Sequence, residues 1–269
     1  MLQQLSAQYP VWFCDVWGVV HNGAMVYPPT IDSLARHRSA GGTVILVSNS
    51  PRSTAGITRQ LDDIGVPRAC YDAVVTSGDV TRDLMQQTDG KLYHLGPARD
   101  LSLFERLPVE RVPLEQASAI ICTGLLHEEQ ETPADYEPAF RAMIGRGLPM
   151  ICANPDKVVR KAGRLIFCAG ALAETYRARG GEVRMAGKPH APIWRPGAAA
   201  GGHGARSRRA FHQRALHRRW PGNGCGGGCG AGHGLPVCFW PARGQERARG
   251  RGSGLAGRAS GAAPGGLRA

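Results

Sequence analysis

VWFCDVWGVVHNG occupies residues 11–23, near the start of the chain. An apolar run leads into a single acid, Asp15, and Gly18 with a polar turn follows at once. This pattern predicts a buried strand that carries Asp15 into an exposed loop. In an open parallel sheet, ligands bind in the crevice outside the carboxyl ends of the strands. Asp15 is therefore the first candidate site residue.

Short β-branched runs alternate with helical stretches from residue 11 to residue 194. TVILVSNS (43–50) predicts a second strand and DAVVTSG (72–78) a third, each followed by a helical segment. Alternation of this kind indicates an α/β fold with a parallel sheet. The same pattern continues through the middle of the chain, where it could form a second α/β unit or extend the first sheet.

The excess charge of the chain is concentrated in its last 75 residues. Residues 195–269 contain 13 Arg, no Lys and one acid, Glu246, whereas residues 1–194 contain 20 basic and 20 acidic residues. The formal net charge of +12 therefore belongs to this tail alone. Twenty of its 75 residues are Gly, which is typical of a disordered Arg/Gly segment. We predict that the tail is atypical and disordered.

The sequence favours a cytoplasmic protein without a membrane partner. No apolar run approaches the roughly 18 residues of a membrane span, and the first residues lack the charged and apolar regions of a secretion signal. Five cysteines lie singly in or beside apolar segments, which suits a reducing compartment. They are Cys14, Cys70, Cys122, Cys152 and Cys168.

Three groups of polar residues follow predicted strands or stand in a loop. Asp15 ends the first strand, Ser48 and Asn49 end the second, and Lys188 stands in GKP before a further helix. Carboxyl ends of neighbouring parallel strands converge on one crevice, so these residues can share a site. A carboxylate, a hydroxyl with backbone amides and an ammonium group supply a phosphoryl group with a nucleophile, donors and a fixed cation.

The motifs D-x-x-G, VSNSPR, ANPD, AGALAETY and GKPHAPI occur in this order along the chain. Together they resemble the class IIA branch of the haloacid dehalogenase superfamily, over residues 11 to about 194. The resemblance implies a Rossmann-like α/β core with a parallel sheet, formed by residues 1–81 and 184–194. It also implies an inserted α/β cap of the C2 type over residues 82–183.

The resemblance further implies a magnesium-dependent phosphatase that acts through an aspartyl-phosphate on a small phosphorylated metabolite. Asp15 would be the nucleophile and, together with the backbone carbonyl of Trp17, a ligand of Mg²⁺. Ser48 and Asn49 would bind the phosphoryl oxygens. Lys188 would neutralise both the nucleophile and the phosphate. The ANPD motif, residues 153–156, would lie in or near the cap and bear on the substrate pocket.

Trp17 departs from the pattern of this family. Most phosphatases of the superfamily read D-x-D, and the second Asp acts as general acid and then as base. An indole cannot transfer this proton, so protonation of the leaving group is in question. A protein that binds a phosphorylated ligand without turning it over is therefore an alternative interpretation.

A second departure concerns the fourth motif of the family, a strand ending in G-D with an Asp about four places on, which supplies further magnesium carboxylates. The expected window, RRWPGNGCGGGC (218–229), contains no acid. Back-translated and read one base later, it yields GDGLATDVAGA. We therefore interpret the tail as a shifted reading frame, with the slip between Pro192 and Arg218. The chain as written is then expected to be unstable and weakly active or inactive.

The Arg-rich tail suggests a third class of function, the binding of nucleic acid by phosphate neutralisation. The tail has few aromatic residues for base stacking. We therefore do not expect a nucleic-acid partner. The sequence leaves the substrate open, and also the oligomeric state, including a homo-oligomer.

Overall fold

The computed structural model describes residues 6–161, 163–194 and 237–240. Its first part alternates strands and helices as the sequence predicts. The elements are β1 (Val11–Asp15), α1 (Pro28–Ser39), β2 (Thr43–Ser48), α2 (Thr54–Asp63), β3 (Ala73–Thr76) and α3 (Ser77–Met85). β1 pairs in parallel with β2, and β2 pairs in parallel with β3. This is the predicted parallel sheet.

A second parallel sheet follows α3. The elements of this region are β4 (Lys91–Leu95), β5 (Glu110–Arg111), β6 (Ala119–Cys122), α4 (Glu137–Gly145), β7 (Met150–Cys152), β8 (Val158–Lys161), β9 (Arg164–Phe167), α5 (Ala169–Ala178) and β10 (Val183–Met185). The strands of the sheet have the order β10-β7-β6-β4-β5, and every neighbouring pair is parallel. A separate antiparallel hairpin, β8–β9, lies outside this sheet. The middle of the chain thus forms a second α/β unit and does not extend the first sheet.

The division of the chain into a core and an inserted cap stays a prediction. The predicted boundary between residues 81 and 82 falls inside α3, and the one between residues 183 and 184 falls inside β10. The limits of the two domains stay a prediction, whereas the mixed α/β class with a parallel, Rossmann-like core is confirmed.

The first sheet has a fourth strand that comes from the tail. Residues Val237–Trp240 form β11, which pairs antiparallel with β1 on the side opposite β2. The predicted disorder of residues 195–269 otherwise lies outside the described residues. The proposed frame slip falls between Pro192 and Arg218, and therefore also lies largely outside them.

Each sheet is covered by buried apolar side chains. Trp12, Leu46 and Leu61 belong to a cluster between the first sheet and its helices. Phe140 and Tyr176 are fully buried beside the second sheet, where their rings meet edge to face at 5.5 Å. In the part of the chain that the structure describes, no helix is long and apolar enough to cross a membrane.

The start of α3 packs tightly against the loop that follows β2. The backbone N–H of Gly78 donates to the carbonyl oxygen of Ser50 at 3.1 Å. A Cβ atom at Gly78 would lie only 2.3 Å from the carbonyl oxygen of Arg52. Because that oxygen belongs to the backbone, it cannot move aside without displacing the loop. Residue 78 therefore has to be glycine for the loop after β2 to keep its course.

We expect Gly78→Ala to lower the free energy of unfolding by about 1–3 kcal/mol, the usual cost of overpacking. Gly145→Ala is the matched control, because Gly145 ends α4 and a Cβ atom there would meet nothing within 4 Å. The control should be neutral or stabilising by up to about 1 kcal/mol. Urea denaturation followed by circular dichroism measures both. Equal stabilities for the two variants would contradict the close approach at Gly78.

Candidate active site

Lys188 and Asp15 are in direct contact, although 173 positions of sequence separate them. The Nζ atom of Lys188 donates to Oδ1 of Asp15 at 2.5 Å and to the carbonyl oxygen of Val47 at 2.9 Å. The side chain of Lys188 is 20% exposed and that of Asp15 is 41% exposed. The lysine is thus held at the end of β2 and presents its charge to the end of β1.

The two carboxylate oxygens of Asp15 have different surroundings. Oδ1 accepts from Lys188 and also from the backbone N–H of Val16 at 2.7 Å. Within the part of the chain that the structure describes, Oδ2 accepts no hydrogen bond. One oxygen therefore fixes the orientation of the carboxylate, and the other is left for a ligand.

Ser48 and Asn49 lie beside this pair, at the end of the neighbouring strand. Ser48 is buried, and its Oγ accepts from the backbone N–H of Ser50 at 3.1 Å. The side chain of Asn49 is engaged by protein groups: Oδ1 accepts from the N–H of Lys188 at 2.7 Å, and Nδ2 donates to the carbonyl oxygen of Lys188 at 3.1 Å. Nδ2 also donates to Oδ1 of Asp156 at 2.9 Å. Donors for a phosphoryl group would then be the Ser48 hydroxyl and the backbone amides of this loop.

The helix that the sequence places after SNSP begins at Thr54. Ser53 caps it, because its Oγ accepts from the N–H of Gly56 at 3.3 Å. Oδ2 of Asp79 accepts from the N–H of Thr54 at 2.9 Å. One of the free amides at this helix end is therefore already satisfied by a buried carboxylate.

Trp17 lies in the loop that follows β1. Its indole is 39% exposed and meets the ring of His21 edge to face at 5.6 Å. A Cβ atom at Gly23 would come within 2.6 Å of the indole, so the ring rests directly on that glycine. The side chain at this position is thus held by packing and offers no group that transfers a proton.

Asp156 is brought to the site by a contact that the sequence does not reveal. The ANPD motif predicts a place near the pocket but no partner for its acid. Burial raises the pKa of Asp156 and the charge of Asp15 raises it further, while the hydrogen bond from Asn49 and the charge of Lys188 lower it. The charges of Asp15, Lys188 and Asp156 therefore act on one another.

The site supplies some of the ligands that a magnesium ion needs. Among the described residues, no three His, Cys, Asp or Glu side chains are grouped so that they could hold a metal ion. Mg²⁺ keeps several waters and is usually bound through one or two carboxylates and the phosphate of the substrate. Oδ2 of Asp15 is a carboxylate oxygen of this kind. Asp15 thus fits a magnesium ion that is held mainly by water and substrate.

Comparison with known proteins shows the family. The sequence model of the haloacid dehalogenase-like hydrolase family matches residues 12–110. A crystal structure of a hydrolase of the haloacid dehalogenase-like family from Brucella suis 1330 is 46% identical, covers 77% of this chain and 81% of its own, and superposes with a TM-score of 0.70. The chain belongs to the haloacid dehalogenase-like hydrolases.

More distant structures share the fold. The 4-nitrophenylphosphatase of Thermotoga maritima is 19% identical, covers 69% of this chain and 71% of its own, and has a TM-score of 0.54. The glycerol phosphate phosphatase of Mycobacterium tuberculosis, in complex with magnesium, is 22% identical, covers 70% of this chain and 57% of its own, and also has a TM-score of 0.54. No match is found among curated proteins.

The raised pKa of Asp156 makes stability depend on pH. Its ordinary value is 3.8, and the folded protein binds the proton more tightly than the unfolded chain does. The stability that this group contributes is therefore present at low pH, and it is lost as the pH rises from 3.8 through the raised pKa.

Asp156→Asn removes this titration. We expect its free energy of unfolding, minus that of the wild type, to increase between about pH 4 and pH 7. Urea denaturation at several pH values measures the difference. A difference that stays constant or decreases with pH would show that ionisation of Asp156 does not destabilise the folded protein.

Proposed function

We propose that this protein is a phosphatase that hydrolyses a small phosphate monoester through a phosphorylated Asp15. The observation that carries the proposal is the contact between Lys188 Nζ and Asp15 Oδ1, which leaves Oδ2 without a hydrogen bond among the described residues. A neutralised carboxylate with one free oxygen, next to hydroxyl and amide donors, suits in-line attack on phosphorus. The substrate would be a small phosphorylated metabolite, and the protein would act in the cytoplasm.

The reaction would have two steps at Asp15. In the first, Oδ2 forms a bond to phosphorus while the bond from phosphorus to the ester oxygen breaks, and the leaving oxygen takes its proton from solvent water, because Trp17 has none to donate. In the second, water attacks phosphorus and releases inorganic phosphate from the carboxylate. Lys188 would neutralise charge on the transferred group, and the hydroxyl of Ser48 with the backbone N–H of Asn49 would hold its oxygens.

Magnesium would be held by Asp15 and by the backbone carbonyl of Trp17. When bound, it would neutralise the oxygens of the transferred phosphoryl group. The structural neighbour from Mycobacterium tuberculosis that is in complex with magnesium supports this choice of metal. The neighbours that are phosphatases support the choice of a phosphate monoester.

We also propose that the tail is read out of frame from a point between Pro192 and Arg218. The abrupt loss of acids and Lys and the excess of Arg and Gly support this reading. The chain as written would then lack further metal carboxylates and show weak activity or none. Sequencing of codons 190–220 tests the idea: a gene in which no single-base slip recovers GDGLATDVAGA contradicts it.

Asp15→Asn should lower the turnover of p-nitrophenyl phosphate with Mg²⁺ by about 10³-fold or more, because it removes the attacking charge. Activity is measured in the chain as written and in the chain with the frame restored. Asp32→Asn is the matched control, since Asp32 is an exposed residue of α1 that pairs with Arg36. It should leave the rate unchanged.

Turnover that survives Asp15→Asn would contradict the proposed nucleophile. Binding of inorganic phosphate with Mg²⁺ but no hydrolysis, even with the frame restored, would instead favour the non-catalytic interpretation that Trp17 suggests.

Trp17 makes a second prediction about the leaving group. Because no side chain at this position can donate a proton, esters whose leaving group is stable as an anion should be hydrolysed best. We expect p-nitrophenyl phosphate to be preferred over glycerol phosphate. Trp17→Asp should raise kcat/KM for glycerol phosphate by about 10-fold or more, since general acid catalysis contributes about 10²–10⁴-fold.

Trp17→Ala is the control for this change, because it removes the indole without adding an acid. It should not raise the rate with glycerol phosphate. A gain in both variants would mean that the indole obstructs the substrate and that proton transfer is not the limitation.

A further inference from the structure

The side chain of Asn49 forms hydrogen bonds with both backbone polar groups of Lys188. Its Oδ1 accepts from the N–H of Lys188 at 2.7 Å, and its Nδ2 donates to the carbonyl oxygen of Lys188 at 3.1 Å. Asn49 is only 8% exposed, so water does not compete freely for these bonds. The backbone of Lys188 is thus fixed from the end of β2, where its Nζ also finds the carbonyl oxygen of Val47.

Asp156 accepts a hydrogen bond from the second hydrogen of the Asn49 side-chain amide. Its Oδ1 accepts from Nδ2 at 2.9 Å. An ionised carboxylate has no hydrogen to donate, so it can face only the nitrogen of a carboxamide. A rotated amide would turn its oxygen towards Asp156 and towards the carbonyl oxygen of Lys188, which are both acceptors. Asp156 therefore favours the one orientation of Asn49 that fits the Lys188 backbone.

The loop that carries Asp156 is itself well ordered by contacts on both sides. The backbone N–H of Asp156 donates to Oδ1 of Asn154 at 3.0 Å, and its carbonyl oxygen accepts from the N–H of Gly170 at 3.1 Å. Nearby, the hydroxyl of Ser77 lies 2.5 Å from the carbonyl oxygen of Ala153 and 2.9 Å from that of Ser50, and the two oxygens share its single hydrogen. The loop after β7 is thereby joined to the loop after β2 at two points.

We propose that Asp156 is a positioning residue: through Asn49 it aligns Lys188 with Asp15, so that the second α/β unit helps to build the site of the first. This inference rests on the proposed function for its catalytic consequence. The alignment itself does not depend on turnover, so it can be measured separately. Asp156 touches neither the reacting atoms nor Asp15, and its role differs from that of a proton donor.

Asp156→Ala and Asp156→Asn distinguish positioning from proton transfer. Asparagine keeps an acceptor oxygen for Nδ2 of Asn49, and the N–H and carbonyl oxygen of Lys188 still select the same orientation of the Asn49 side chain. Alanine removes the acceptor. We expect kcat with p-nitrophenyl phosphate to fall about 10-fold or more in Asp156→Ala, with a smaller change in KM, because small misplacements of catalytic groups cost up to about 10²-fold. Asp156→Asn should stay within about twofold of the wild type on the same reasoning. Equal losses in the two variants would overturn the proposal in favour of a role that needs the carboxylic acid.

Acetylation of lysines measures how well Lys188 is held against Asp15, and it does not require turnover. The protein is treated with N-hydroxysuccinimidyl acetate, and peptide mass spectrometry compares Lys188 with Lys91, an exposed lysine of β4. We expect the relative labelling of Lys188 to rise severalfold in Asp156→Ala and in Asn49→Ala, and to stay at the wild-type level in Asp156→Asn.

The second alanine variant removes the same bridge from its other end, so the test does not depend on the folding of one mutant. Unchanged labelling of Lys188 in the alanine variants overturns the proposal, whatever the activity. A labelling change in a protein that hydrolyses nothing supports the alignment and counts against the proposed phosphatase function alone.

Discussion

The contact between the ammonium group of Lys188 and the carboxylate of Asp15 is the interaction on which the rest of the site depends. It joins the end of β1 to a loop that follows the whole second α/β unit. Without a partner, each of these charges would lose solvation at the sheet edge with no compensation. With the pair formed, one carboxylate oxygen is neutralised and the other remains available. The surroundings of Lys188, from the Val47 carbonyl to the Asn49 amide, keep its charge in this position.

Periodicity in the sequence was sufficient to predict the strands that carry the site. Alternating apolar runs define β1, β2 and β3, and parallel pairing then places Asp15 and Ser48 at one edge. Short, exposed or weakly apolar strands carry little signal of this kind. β5 consists of two exposed residues, and β8 begins with Val158, which is exposed in the folded protein. The sequence therefore does not predict these two strands.

Side-chain contacts between distant segments were the other part that the sequence could not supply. The motifs place Asn49 near a phosphoryl group, and its role there stays a prediction. The structure gives its side chain other partners, Lys188 and Asp156, the latter 107 positions away. Hydrogen bonds of this kind depend on how two loops meet, and no local pattern of one chain encodes that. The acid of ANPD was the available signal, but its partner was not readable.

In the part of the chain that the structure describes, the site lacks two groups that phosphatases of this superfamily usually have: a proton donor at the position of Trp17 and further carboxylates for Mg²⁺. The indole removes a proton donor from the position beside Asp15, and among the described residues no three His, Cys, Asp or Glu side chains are grouped to hold a metal ion. Both features weaken the chemistry that the rest of the site supports. The frame shift proposed for the tail would explain the missing carboxylates, whereas Trp17 lies in the loop after β1, far from the tail in sequence.

The decisive experiment is to trap the covalent intermediate on Asp15. The chain with the frame restored is mixed with p-nitrophenyl phosphate and Mg²⁺, quenched in acid, digested and examined by mass spectrometry. We expect a phosphoryl group on the peptide that contains Asp15, removable by hydroxylamine as expected for an acyl phosphate. Phosphate release with no label on Asp15, or a label on another residue, would contradict it.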